Sequence, residues 1–132
     1  METLKQCGVK GIQGLQSQIM PKFQVGNKNK FHYLGEMNTY GQRYLIRNVF
    51  FEPFEFNDKK LLVKNCLQQV ADAFKRNTAA TISTHRVNFS GNISLKNRNE
   101  NLEAFDELIS QIIKQWPDVE FVTSPQLLNK IN

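Results

Sequence analysis

The stretch Ala79–Phe89, A-A-T-I-S-T-H-R-V-N-F, decides how the chain is read. It begins with small and β-branched residues, the composition of a buried parallel strand, and turns polar at Ser83, Thr84, His85, Arg86 and Asn88. In open α/β sheets and β/α barrels the ligand site lies beyond the carboxyl ends of the strands, so a Ser-Thr-His-Arg cluster there is a candidate site. Histidine is the side chain suited to proton transfer near neutral pH, which makes His85 the catalytic candidate. A hydrogen-bonded structural histidine is the competing reading.

Immediately upstream, Asp58 is a good N-cap for a helix running to about Arg76, with Val63, Leu67, Val70 and Phe74 on one buried stripe. That helix follows Arg43–Phe51, R-Y-L-I-R-N-V-F-F, an aromatic and β-branched run that reads as a strand. A strand, a helix and a second strand of these lengths suit a parallel crossover. Arg47 and Asn48 are polar inside the run, so they either face a polar barrel interior or lie beside the site at the strand's carboxyl end. An Arg paired to a carboxylate such as Glu52 for structural reasons is the alternative. Phe50, Phe51, Phe54 and Phe56 could offer a flat face to a sugar ring, or fill core.

Downstream, Asn97 and Glu100 are spaced as a capping box for a helix whose apolar stripe is Leu102, Phe105, Ile109, Ile112 and Trp116. Pro117 ends it, Val119–Thr123 reads as a short strand, and Ser124-Pro125 opens a last helix through Ile131. At the other end of the chain Glu2 to Cys7 reads as helix, Gly8 as its left-handed terminator, and Val9–Gln16 as a strand. Ser17–Tyr40 has no sustained period and reads as a long loop, holding His32 with Tyr33, Glu36 and Asn38 nearby. The order β-loop-β-α-β-α-β-α argues an α/β architecture with parallel strands alternating with helices, either a small open sheet or part of a barrel.

At 132 residues, 40% hydrophobic and 22% charged, the expectation is a single α/β domain over residues 1–132. Every apolar run is shorter than the roughly 18 to 20 residues needed to cross a bilayer, and M-E-T-L-K-Q-C-G-V carries no signal-peptide core. No membrane partner is expected, and the default compartment is cytoplasmic. The net charge of +5 permits attraction to anionic glycans or nucleic acid. Its lysines and arginines (among them Lys22, Lys28, Lys59, Lys60 and Lys75) are scattered, which disfavours nucleic acid as a partner. Cys7 and Cys66 form no C-x-x-C, and His32 and His85 form no H-x-x-x-H, so neither a disulfide framework nor a metal site is expected within the chain. Phosphate-binding glycine loops and the G-x-S-x-G elbow are absent.

Taken together, G-V-K-G-I-Q-G-L-Q, Y-L-I-R-N-V-F-F-E-P, I-S-T-H-R-V-N-F-S-G and W-P-D-V-E-F-V-T-S-P-Q-L resemble the C-terminal half of polysaccharide deacetylase-like proteins, the NodB-homology group. The resemblance implies half of an irregular β/α barrel and a hydrolase acting on the C–N amide bond of N-acetylated sugars. It also implies a divalent metal such as zinc, an Asp base, and a late His that protonates the leaving amine. His85 corresponds to that late His, and Arg47 to the arginine that orients the base. The family's Arg is followed closely by Pro and an aromatic, whereas here Arg47-Asn48-Val49-Phe50 stands. Asn48, Arg86 and Asn88 are the candidates for substrate binding. No counterpart of the early Asp-Asp and H-x-x-x-H motifs is present, so the chain is expected to be a barrel fragment that is inactive alone. Open strand edges imply a homo-oligomer. The alternative is a non-catalytic carbohydrate-binding or protein-interaction module.

Overall fold

The computed structural model describes residues 1–19, 29–92 and 94–131. The chain is a mixed α/β protein whose contacts divide into two compact units, Met1–Arg47 with Phe121–Asn132, and Asn48–Glu120. Among the described residues the strands form short two-stranded pairs, two of them parallel, and no closed barrel. No helix of the described residues is long and apolar enough to cross a membrane.

In the first unit α1 (Glu2–Gln6) ends where Gly8 takes φ +77°, with Gly8 N–H donating to Lys5 O and Val9 N–H to Leu4 O. That pair of bonds is the Schellman termination the glycine allows. β1 (Gly11–Leu15) then pairs in parallel with β4 (Arg43–Arg47), Gly11 opposite Arg43 and Leu15 opposite Arg47. Tyr44, Leu45 and Ile46 of β4 are buried. A Cβ on Gly11 would come within 3.3 Å of Leu128 Cδ2, so the glycine makes room for α4 (Ser124–Lys130). Sequence pattern placed a loop over 17–40. Within it β2 (Ser17–Ile19) and β3 (Asn29–Phe31) form an antiparallel ribbon, Ser17 opposite Phe31, while residues 20–28 lie outside the described residues.

The second unit is built on β5 (Val49–Phe50) and β6 (Ile82–Ser83), paired in parallel and joined by α2 (Lys59–Lys75). The expected strand Arg43–Phe51 is split at Asn48, where two successive N–H groups, of Asn48 and Val49, both reach Thr81 O at 3.2 Å. The Asn48 side chain repairs the break: Oδ1 accepts from Thr81 N–H at 2.7 Å and Nδ2 donates to Ala79 O at 2.9 Å. The strand expected to begin at Ala79 and end where the segment turns polar is confined to Ile82–Ser83. An amide side chain, in place of a strand ladder, holds the residues that precede it.

Val49 and Phe51 face α2 and α3 (Leu95–Gln115) in a core with Leu62, Val63, Cys66, Val70, Leu108 and Ile112. Phe105 meets Phe51 and Phe89 edge-on at 5.4 and 5.7 Å between ring centroids, and Phe74 meets Trp116 at 5.1 Å. The α2 stripe is as the spacing predicts, widened by Leu62 and Ala73. On α3 the cap is Ser94, whose Oγ accepts from Asn97 N–H, and the buried line is Asn101, Ala104, Leu108 and Ile112. Leu102, expected in that line, is 44% exposed. A polar residue occupies the inward position, which a hydrophobic pattern cannot register. The strand expected over Val119–Thr123 does not form: Val119 N–H turns back to Trp116 O, and no strand of the described residues pairs with the segment. The last helix is capped one residue earlier than expected, by Thr123, whose N–H and Oγ1–H both donate to Gln126 Oε1.

Phe50's own N–H and C=O point away from β6, and α2 covers them: Gln69 Oε1 accepts from Phe50 N–H at 2.8 Å, and Cys66 Sγ–H donates to Phe50 O at 3.2 Å. Burial pushes the Cys66 thiol up to about 11. α2 is itself fixed at both ends. Asp58 accepts from Lys60 and Leu61 N–H, and Asn77 at φ +53° closes the other end through Asn77 N–H to Phe74 O and Thr78 N–H to Ala73 O. Asp58→Ala is expected to lower stability by about 0.5–2 kcal/mol. Urea unfolding measures this, with Asp58→Ser keeping most of the wild-type stability because it still caps.

Candidate functional site

Glu52 follows β5 and His85 follows β6. The pairing of Val49 with Ile82 sets an offset that, carried past the strand ends, brings Glu52 opposite His85. His85 Nδ1 lies 2.8 Å from Glu52 Oε1, with the imidazole 73% exposed and the Glu52 side chain 16%. Each strand then turns into a short 3-10 helix, Pro53–Glu55 after Glu52 and Arg86–Phe89 after His85. Lys59 Nζ donates to Pro53 O and Phe56 O, pinning the first of these turns.

Asn88, 1% exposed, ties the two turns together. Its Nδ2 donates to Glu52 Oε2 at 2.8 Å and to Thr84 Oγ1 at 3.3 Å, and its Oδ1 accepts from Phe54 N–H at 3.3 Å. Both oxygens of Glu52 therefore have fixed partners. With Glu52 an acceptor, the neutral His85 ring carries its proton on Nδ1 and turns the Nε2 lone pair toward solvent. A carboxylate behind an exposed imidazole is the arrangement that orients a general acid or base.

Of the residues singled out from the sequence, His85 and Asn88 meet at Glu52, and Thr84 joins them. Arg86 is exposed and opens the turn that contains Asn88. Asn48 has its amide engaged with the backbone of Ala79 and Thr81. Arg47 ends β4 and belongs to the first unit, while His85 belongs to the second. Glu52 was weighed in the sequence as a partner for Arg47; its acidic character after V-F-F, at the same strand end as His85 in the next strand, is the signal for its place in the site. Of the four phenylalanines considered for stacking, Phe51 is buried, Phe56 packs on the core, and Phe50 and Phe54 are 42% and 75% exposed.

The second histidine, His32, lies in the first unit and is buried. Its Nδ1 is 2.8 Å from Glu36 Oε2, its Nε2 is 3.0 Å from Gln18 Oε1, and it stacks on Tyr44 at 3.8 Å between ring centroids. This ring ties the β2–β3 ribbon to β4 through packing and two hydrogen bonds, an arrangement suited to holding the fold. Asn38 and Gln42 organise the adjoining turn, with Gln42 Nε2 donating to Val9 O at 2.9 Å.

Among the described residues no three His, Cys, Asp or Glu side chains come together in a way that could hold a metal ion. The donor set present therefore does not fit the divalent metal that the family resemblance implies. No family model matches the chain, and neither a curated protein nor a solved structure matches it.

Desolvation raises the Glu36 carboxyl, but the His32 hydrogen bond and charge, the Tyr33 N–H and Lys30 together outweigh it, so the group lies below its ordinary value. A depressed carboxylate contributes stability that is present above the unfolded value, about 4.3, and is lost as pH falls through the folded value. Urea midpoints measured from pH 6 downward are expected to fall less steeply in Glu36→Gln than in the wild type once pH drops below that ordinary range.

Proposed function

We propose that the chain is the C-terminal part of a polysaccharide deacetylase-like hydrolase, corresponding to part of an irregular β/α barrel, that acts on the C–N amide bond of N-acetylated sugars. In this reading His85 is the group that handles the proton of the leaving amine. The observation that supports it is the hydrogen bond between His85 Nδ1 and Glu52 Oε1 at 2.8 Å, beneath an imidazole that is otherwise open to solvent. Breaking an amide requires the nitrogen to leave as an amine, because the amide anion is too basic to be expelled. A protonated His85 delivers that proton from Nε2, while Glu52 holds Nδ1 and stabilises the ring's positive charge. Asn88 keeps Glu52 in place, and the exposed Arg86 stands beside His85 in sequence as a donor to sugar hydroxyls. The resemblance assigns Lewis-acid chemistry to a divalent metal; the residues described here supply proton transfer and orientation.

The test joins this chain to the metal-binding half of a deacetylase barrel and measures acetate released from N-acetylated sugar oligomers. His85→Ala is expected to lower turnover by about 10² to 10⁴-fold with the metal content of the joined protein unchanged. A joined, folded protein that releases no acetate from a broad panel, or one in which His85→Ala has full activity, would overturn this reading.

A second reading, a glycan-binding module without catalysis, is favoured by Phe54. Its ring is 75% exposed while its backbone N–H is held by Asn88, so an apolar face is presented on a fixed turn beside the dyad. Under this reading Phe54→Ala abolishes binding of N-acetylated sugar oligomers to the chain, measured by calorimetry, whereas His85→Ala leaves it unchanged.

A further inference from the structure

We infer that Asn101, in the second turn of α3, is a positioning residue for the His85–Glu52 pair. It is completely buried, on the same helix line as Ala104, Leu108 and Ile112. Its Nδ2 donates to Asn88 O at 2.8 Å, a side-chain hydrogen bond that is buried. Asn88 in turn holds Glu52, and Glu52 holds His85. Three successive hydrogen bonds thus run from the buried side of a helix to an exposed imidazole, all within the second unit.

What separates this from ordinary core packing is the other half of the Asn101 amide. Its Oδ1 is buried and has no hydrogen-bond partner among the described residues. The amide cannot be turned round to relieve this, because Asn88 O needs a donor and Oδ1 is not one. A buried carbonyl oxygen without a donor is unfavourable, and a leucine of nearly the same bulk would suit the apolar line better. Leucine would remove that oxygen but leave Asn88 O without its donor, so stability gives asparagine little net preference at this position. Its Nδ2 supplies the reason: it fixes the backbone of the Arg86–Phe89 turn at Asn88, so that the Asn88 side chain meets Glu52 and Thr84 at the required distance. The consequence for proton transfer rests on the proposed function, but the positional claim concerns the ring alone.

The experiment is nitrogen-15 NMR of the imidazoles in the full chain. There are two histidines, so His32 serves as an internal control and His85 as the reporter. In the wild type the neutral His85 ring is expected to be mainly the Nδ1–H form. In Asn101→Leu and Asn101→Ala that form is expected to stop being the major one, with His32 signals unchanged. Asn101→Leu is further expected to melt within about 4 °C of the wild type, because it removes one unpartnered oxygen while creating another at Asn88. An unchanged His85 tautomer in folded Asn101→Leu overturns the proposal while leaving the dyad intact. Loss of the dispersed amide signals of residues 48–120 in both variants, which means that the second unit fails to fold, also overturns it, because Asn101 is then a residue of the core first. A wild-type His85 ring that is mainly Nε2–H overturns the dyad geometry itself, and with it the reading of the site.

Discussion

A two-residue parallel pair cannot hold itself together, and the second unit depends on how that shortage is met. Val49 and Phe50 against Ile82 and Ser83 supply few backbone bonds. The Asn48 amide extends the pairing by acting as a peptide group, accepting from Thr81 N–H and donating to Ala79 O. This fixes register as well as strength. The side-chain period of a strand is two, so a slip of one residue would turn Val49 and Phe51 out of the core and carry Glu52 away from His85. The geometry of the candidate site is thus set several residues before it, by an asparagine that does not touch it.

The two histidines illustrate how environment separates roles that sequence alone leaves equal. His32 is stacked on Tyr44 with both ring nitrogens engaged, so it has no free position for a ligand. His85 has one nitrogen engaged and the rest of its ring in solvent. A carboxylate accompanies each, at the same 2.8 Å. The difference lies in burial and in the second nitrogen, and those are tertiary properties.

The elements legible in the sequence are those whose signal is local. Gly8 as helix terminator, Asp58 as cap, the α2 stripe and the polar end of the 79–89 segment all follow from neighbouring residues, and the structure has each of them. The misreadings share a different cause. The ribbon of β2 and β3 depends on pairing across an intervening segment, and Val119–Thr123 has strand composition but pairs with no strand of the described residues. Leu102 was preferred to Asn101 because hydrophobicity was the criterion, although the helix turns Asn101 inward. The site was legible in part: His85 and Asn88 could be named, but the Glu52 pairing required the register of β5 on β6, which no local pattern carries.

The way α2 closes the outer side of β5 bears on how the chain reaches this state. Gln69 and Cys66 satisfy the Phe50 backbone from a helix that follows the strand in sequence. While α2 is undocked, those two groups sit open within an aromatic, β-rich segment, V-F-F, that any extended chain could join. Aggregation and folding therefore compete for the same pair of atoms, and the outcome turns on how fast a capped, locally encoded helix closes over them.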